Sequence, residues 1–150
     1  MTDLNKLVLA SANPGKIKEL QEWLDKLGIS VVPQGDLGIP DIEETGLTFV
    51  ENAILKARNA SALSNLPAIA DDSGIEVDYL KGAPGIYSAR FSGEHATDAT
   101  NRTKLLKALE GVPQDKRTAR YQAVIGLPPS CSGPNPDHMP RNLGREHHSY

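Results

Sequence analysis

The chain predicts an α/β fold: a mixed central sheet flanked by helices. Short apolar runs alternate with segments of helical period, and the helical segments open or close on residues that cap helices. Two further segments alternate apolar and polar residues, the period of a strand with one wet face.

Taken in order, Lys6–Ala10 is apolar after Lys6 and reads as a buried strand. Pro14–Leu27 places Ile17, Leu20, Leu24 and Leu27 on one helical face and stops at Gly28. Ile29–Val32 is a second strand, and Asp36–Gly46 is a loop rich in glycine and acidic residues. Thr48 and Glu51 have the N-cap and N3 spacing of a capping box, which opens an alanine-rich helix to about Leu63. Pro67–Ala70 is a short strand running into Asp71-Asp72-Ser73-Gly74, and Ile75–Leu80 alternates as a further strand. Gly82–Gly93 is a loop carrying Tyr87 and Arg90, Thr97–Leu109 is helical, and Thr118–Ile125 is a strand with Ala119, Tyr121, Ala123 and Ile125 on one side.

Composition narrows the function. A length of 150 residues suits one domain with a sizeable core, and a formal net charge of -3 argues against a dedicated nucleic-acid binder while leaving a small charged substrate open. Cys131 is the only cysteine, so an intrachain disulfide and a cysteine-cluster metal site are both excluded. That usage fits a reducing compartment. With no signal-like start and no run of membrane-spanning length, a soluble cytoplasmic protein without membrane contact is expected.

The turn after the first strand, Ser11-Ala12-Asn13-Pro14-Gly15-Lys16, resembles the end of a phosphate-binding loop. A Walker A motif is excluded, because Ala10 stands where its first glycine belongs and Ile17 where its serine or threonine belongs. The physical ingredients remain: a strand feeds a turn that opens a helix, whose unpaired N–H groups and dipole attract an anion. Asn13 suits the N-cap and Pro14 the first helical position. Lys16 falls in the first turn, where the dipole disfavours a cation, so an anionic partner would account for it. An ordinary capped turn with a solvated lysine is the other reading.

Further along, Glu43-Glu44 lies before the capped helix, and Asp71-Asp72 lies at a strand end, where open α/β sheets bind ligands. Asn52, Lys56 and Asn59 share one polar helix face. Carboxylates beside phosphates are the usual hold on Mg²⁺, which keeps several waters. Each feature also has a plain reading as an acidic loop, a turn or a solvated helix face.

Four stretches together are more specific: Ser11 to Lys16, "EETGLTFVENAILKA" from Glu43, "PAIADDSGIEVD" from Pro67 and "GAPGIYSARFSG" from Gly82. In this order, from about Leu4 to Ala123, they resemble the inosine triphosphate pyrophosphatase family, which converts ITP, dITP and XTP to the monophosphate and pyrophosphate. The Maf-type pyrophosphatases share that fold but lack the Asn-x-Gly-Lys turn. The resemblance implies substrate contacts from Ser11, Ala12, Asn13, Pro14, Gly15, Lys16, Lys56 and Ser73. It implies Mg²⁺ held by Glu43 and Asp72, with Asp72 also orienting and deprotonating the attacking water, and a homodimer acting on purine nucleoside triphosphates.

The family's later Phe-Gly-Tyr-Asp segment, downstream lysine and Ser-His-Arg segment have no counterpart after Ala123. A two-lobed fold with its second lobe largely missing is therefore expected, with 1–125 as the N-terminal part of a pyrophosphatase domain. Residues 126–150 hold Pro128, Pro129, Pro134, Pro136 and Pro140 and no apolar period, and are expected to form an aberrant, disordered tail. His138, His147 and His148 sit in that tail without a scaffold to fix ligand geometry, so no metal site is expected there. Two readings stand: an active Mg²⁺-dependent pyrophosphohydrolase, or a truncated or frameshifted non-catalytic product that binds phosphates or a full-length partner.

Overall fold

The computed structural model describes residues 5–127. Of the tail expected at 126–150, Gly126 ends the last strand, and the part from residue 128 onward, with Cys131, His138, His147 and His148, lies outside the described residues.

Four strands, β1 (Lys6–Leu9), β2 (Ser30–Pro33), β3 (Ala68–Val77) and β4 (Ala119–Gly126), form one sheet in the order β2-β1-β3-β4. β1 runs parallel to β2 and β3, while β4 pairs antiparallel with β3, so the sheet is mixed as expected. The helices are α1 (Pro14–Asp25), α2 (Phe49–Ser64) and α3 (Asp98–Ala108).

Small residues set the closeness of the main packing layer. Ala57 and Ala60 of α2 pack on Val8, Ala10, Ala68 and Ala70 in a fully buried cluster with Leu66 at its edge. Alanine is a strong helix former and lets the helix axis approach the sheet, which is why α2 needs few large side chains. A second cluster joins Val77 to Leu109 and Val112 beyond α3.

Several expectations are corrected. Pro67–Ala70 and Ile75–Leu80 are not separate strands: β3 is continuous through Asp71-Asp72-Ser73-Gly74, because β4 pairs with every residue from Ala70 to Val77. A polar stretch reads as a turn in sequence but holds as strand when its backbone has a full ladder partner. The side of β4 that carries Ala119, Tyr121, Ala123 and Ile125 is exposed, Tyr121 by 69% and Ile125 by 61%. α1 ends at Asp25, so Leu27 falls in the turn before Gly28 and is exposed. The Gly82–Gly93 segment contains a 3-10 stretch at Gly85–Arg90, and another at Gln34–Leu37 leads into the acidic loop.

The caps are legible in detail. Thr48 Oγ1 accepts the Glu51 N–H at 3.2 Å, but the Glu51 carboxylate accepts from Leu47 N–H at 2.6 Å rather than from the N-cap itself. Thr97 and Thr100 form a complete capping box on α3. Among the described residues, no helix is long and apolar enough to cross a membrane.

Candidate active site

The site is built around β3. Side chains alternate across a strand, so Asp72 points to the face covered by α2, while Asp71 and Ser73 point to the face beside α1. Adjacent residues of one acidic pair thus enter different surroundings.

On the α1 face, Lys16 Nζ forms a close ion pair with Asp71 and donates to Ser73 Oγ at 3.0 Å. This is the anionic partner that a cation in a first helical turn calls for. Ser73 Oγ also shares a 3.1 Å hydrogen bond with the Tyr121 hydroxyl. The turn holds its helix end internally: Asn13 Oδ1 accepts from Gly15 N–H at 3.0 Å and Lys16 N–H at 3.2 Å, and Ser11 Oγ accepts from Asn13 N–H at 3.2 Å. Pro14 brings no N–H and stands at the first helical position. Ser11 and Ala12 open instead onto a cleft of about 450 Å³ shared with Gln34, Asp36 and Asp41.

The α2 face is more enclosed. Lys56 Nζ lies 3.0 Å from Glu44 Oε1 and 3.5 Å from Asp72 Oδ1, and Arg90 Nη1 donates to Glu44 Oε2 at 2.8 Å. Asp72 is 7% exposed, and its Oδ1 accepts the Ser73 N–H at 3.0 Å. Its Oδ2 is buried with no hydrogen-bond partner. Asn52, fully buried on α2, accepts the Gly46 N–H through Oδ1 at 2.8 Å, while its Nδ2 likewise lacks a partner. A side chain at Gly46 would meet that Asn52 oxygen at 2.6 Å, so glycine is what lets the acidic loop close on α2.

Burial pushes the Asp72 carboxyl above its ordinary value; Lys56 opposes this and the Glu44 charge adds to it. Burial also works to raise Glu44, but the hydrogen bonds and charges of Arg90 and Lys56 outweigh it and hold that carboxyl low. One carboxylate is therefore kept as a fixed anion, and its neighbour is made a better proton acceptor. A buried polar atom without a hydrogen bond costs about 1–3 kcal/mol, and the Asn52 side chain acts on Asp72 to lower its pKa, so Asp72 Oδ2 and Asn52 Nδ2 are atoms that a bound group could satisfy.

Of the residues picked from sequence, the structure brings Lys56 to Asp72 and Lys16 to Ser73. It does not bring Glu43, which is exposed while Glu44 faces Lys56. Asn59 donates to the Pro40 carbonyl at 3.2 Å, so the Asn52-Lys56-Asn59 face is occupied by the acidic loop rather than by solvent alone. Arg90, Asn52 and Tyr121 were not assigned roles; Arg90 and Asn52 lie inside the quoted motifs, but their partners are distant in sequence. Among the described residues, no cluster of three or more His, Cys, Asp and Glu side chains is set to hold a metal ion.

Comparison with known proteins bears out the resemblance. Residues 7–139 match the Ham1 family model, a span running past Ala123, where the motif reading stops. The chain is 52% identical over 133 residues to a dITP/XTP pyrophosphatase of Vibrio cholerae, covering 89% of this chain and 66% of that one. It is 56% identical over 133 residues to a dITP/XTP pyrophosphatase of Salmonella paratyphi A, covering 89% of this chain and 68% of that one. A HAM1 protein structure from Coxiella burnetii matches at TM-score 0.75 and 50% identity, over 81% of this chain and 62% of that one. The Staphylococcus aureus Ham1 protein matches at TM-score 0.70 and 43% identity, over 80% of this chain and 61% of that one. The chain thus spans about two thirds of the length of the relatives it matches. With the motifs in order, the fold superposed and the family model matched along most of its length, this chain belongs to the Ham1 family.

Proposed function

We propose that the chain acts as a nucleoside triphosphate pyrophosphohydrolase on ITP, dITP and XTP, releasing the monophosphate and pyrophosphate. The observation that carries this is the buried, unpartnered Asp72 Oδ2 beside Lys56 and Glu44, one residue from Ser73 and the Lys16 grip. Hydrolysis of a phosphoanhydride needs an oriented water and neutralised phosphate charge more than a covalent nucleophile, and these are the groups present.

Asp72 is read as the group that orients the attacking water and accepts its proton, a task its raised pKa favours. Lys56 and Lys16, each paired internally with carboxylates, exchange those partners for phosphate oxygens as mobile point charges. Ser11, Ala12, Asn13, Pro14 and Gly15 are read as the turn that positions the phosphate chain, and Ser73 as a further contact.

The donor set fits Mg²⁺: hard oxygen ligands, a free Asp72 oxygen and a second carboxylate on the same face, with the remaining positions left for water and substrate. Geometry supports Glu44 rather than Glu43 as that second carboxylate. When bound, the ion would polarise the phosphoryl oxygen and stabilise charge on the leaving pyrophosphate. Residues 1–125 would supply this machinery, and the single cysteine supports a reducing, cytoplasmic setting.

The test is pyrophosphate release with Mg²⁺ from ITP, dITP, XTP, ATP and GTP. Preference for the first three, with turnover lost in Glu44→Gln and retained in Glu43→Gln, supports the reading. Equal turnover of all five, or none, contradicts it.

A further inference from the structure

We propose that Arg90 is a positioning residue that fixes Glu44, and through it Lys56, relative to Asp72. The proposal rests on the reading of a divalent cation at Asp72 and Glu44.

Glu44 sits in an irregular loop, and the hydrogen bonds and ion pairs on its carboxylate come from two cations: Lys56 on Oε1 and Arg90 on Oε2. Lys56 is also the cation that must turn to the phosphates during turnover. If Lys56 were the sole partner, Glu44 would lose its anchor at the moment it is needed. Arg90 removes that conflict, because its hydrogen bond to Oε2 persists when Lys56 leaves Oε1. Its planar, always charged guanidinium suits a fixed hold better than the flexible lysine does.

Arg90 is itself referenced to the strand that carries Asp72. It ends the Gly85–Arg90 stretch, and Ser88 of that stretch accepts the Ile75 N–H of β3 at 2.9 Å while donating to the Gly85 carbonyl at 2.6 Å. Docking is close enough that a side chain at Gly74 would stand 2.5 Å from Ser88 Oγ. The guanidinium lies 5.1 Å from the centre of the Tyr87 ring, which limits its swing. The contacts close a ring, from β3 through Ser88 and Arg90 to Glu44, then through Lys56 back to Asp72. When Lys56 turns away, the arm through Ser88 and Arg90 still ties Glu44 to the strand that carries Asp72, although the two carboxylates come from a loop and a strand.

The experiment compares the parent chain with Arg90→Gln and Arg90→Lys. Mn²⁺ binding without nucleotide is read by electron paramagnetic resonance, and ITP hydrolysis is read as separate kcat and KM. Arg90→Gln is expected to weaken Mn²⁺ binding about 10–100-fold, the usual effect of losing a group that orients a ligand, with Arg90→Lys retaining most of the affinity. In Arg90→Gln, kcat should fall while KM for ITP stays within about twofold, and the thermal midpoint should move by no more than about 4 °C. Parent-like Mn²⁺ affinity in Arg90→Gln would overturn the role of Arg90 and leave the metal reading intact. Equal loss in both variants would trace the effect to packing and also overturn it. Absence of Mn²⁺ binding by the parent would remove the metal reading and this inference together.

Discussion

The two faces of β3 use the same residue types to different ends. On one, Lys16, Asp71 and Ser73 form a pair and a hydrogen bond at the open side of the sheet, next to the exposed Tyr121. On the other, Lys56, Glu44 and Asp72 lie under α2 and the acidic loop, with atoms left unpaired. A part-buried ion pair made by a flexible lysine can exchange partners, which suits the proposed role of Lys16 as a phosphate contact. A buried carboxylate with one oxygen left without a hydrogen bond is costly and persists only where the surroundings impose it, which suits chemistry. The comparison teaches that an acidic dipeptide on a strand is two sites, because the pleat sends its members apart.

A large effect is expected from the cation of the enclosed face. Lys56→Ala removes the cation shared by Glu44 and Asp72, and should lower kcat for ITP by about 10²–10³-fold, the range for losing one preorganised charge-stabilising donor. A loss under tenfold in steady-state kinetics would break the asymmetry between the faces.

Gly74→Ala tests the packing that brings both faces to the Gly85–Arg90 stretch. Its methyl group would press on the Gly85 carbonyl and Ser88 Oγ. Overpacking of this kind costs about 1–3 kcal/mol, so thermal unfolding should shift down by several degrees. An unchanged midpoint would mean that the stretch yields freely and holds nothing in place.

Lys16→Ala addresses the open face. It should weaken ITP binding about tenfold, the worth of one charge-assisted hydrogen bond, and leave IMP binding nearly unchanged. Equal losses for ITP and IMP by titration calorimetry would return Lys16 to the plain solvated-lysine reading.

The smallest effect is one of stability. The folded Asp72 carboxyl is raised above its unfolded value of about 3.9. Above that value the folded state binds more protons than the unfolded state, so ionisation of Asp72 destabilises the fold as pH rises through the window upward from about 4. Asp72→Asn removes the burden: its thermal midpoint should exceed the parent's at pH 7 and converge with it near pH 4. A lower midpoint for Asp72→Asn at pH 7 would show that the ionised carboxylate is stabilised by its surroundings.

What the sequence made legible was local. The β1-turn-α1 unit, the Asn13 cap, the Thr48 cap and α3 follow from spacing within a few residues, and all are present. The continuity of β3 was hidden, because Asp71-Asp72-Ser73-Gly74 has turn composition and becomes strand only through its ladder with Gln122 to Ile125. The same ladder decides that the apolar side of β4 faces out, which alternation cannot tell. Within the site, motif order pointed to Lys16, Lys56, Asp72 and Ser73. That Glu44 and not Glu43 faces Lys56 depends on how the loop closes at Gly46 on Asn52, and the link from Arg90 to Glu44 is a contact spanning 46 residues.

The central claim, that chemistry belongs to the enclosed face and binding to the open one, is tested most directly by two neighbouring isosteric changes. Steady-state ITP hydrolysis would be measured for Asp72→Asn and Asp71→Asn in the same chain. Asp72→Asn should lower kcat about 10²–10⁴-fold, as expected for removing a general base. Asp71→Asn frees Lys16 from a part-buried pair and should leave kcat within about threefold, with its effect confined to KM. Comparable loss of kcat in both variants, or a larger loss in Asp71→Asn, would contradict the division of β3 into a catalytic and a binding face.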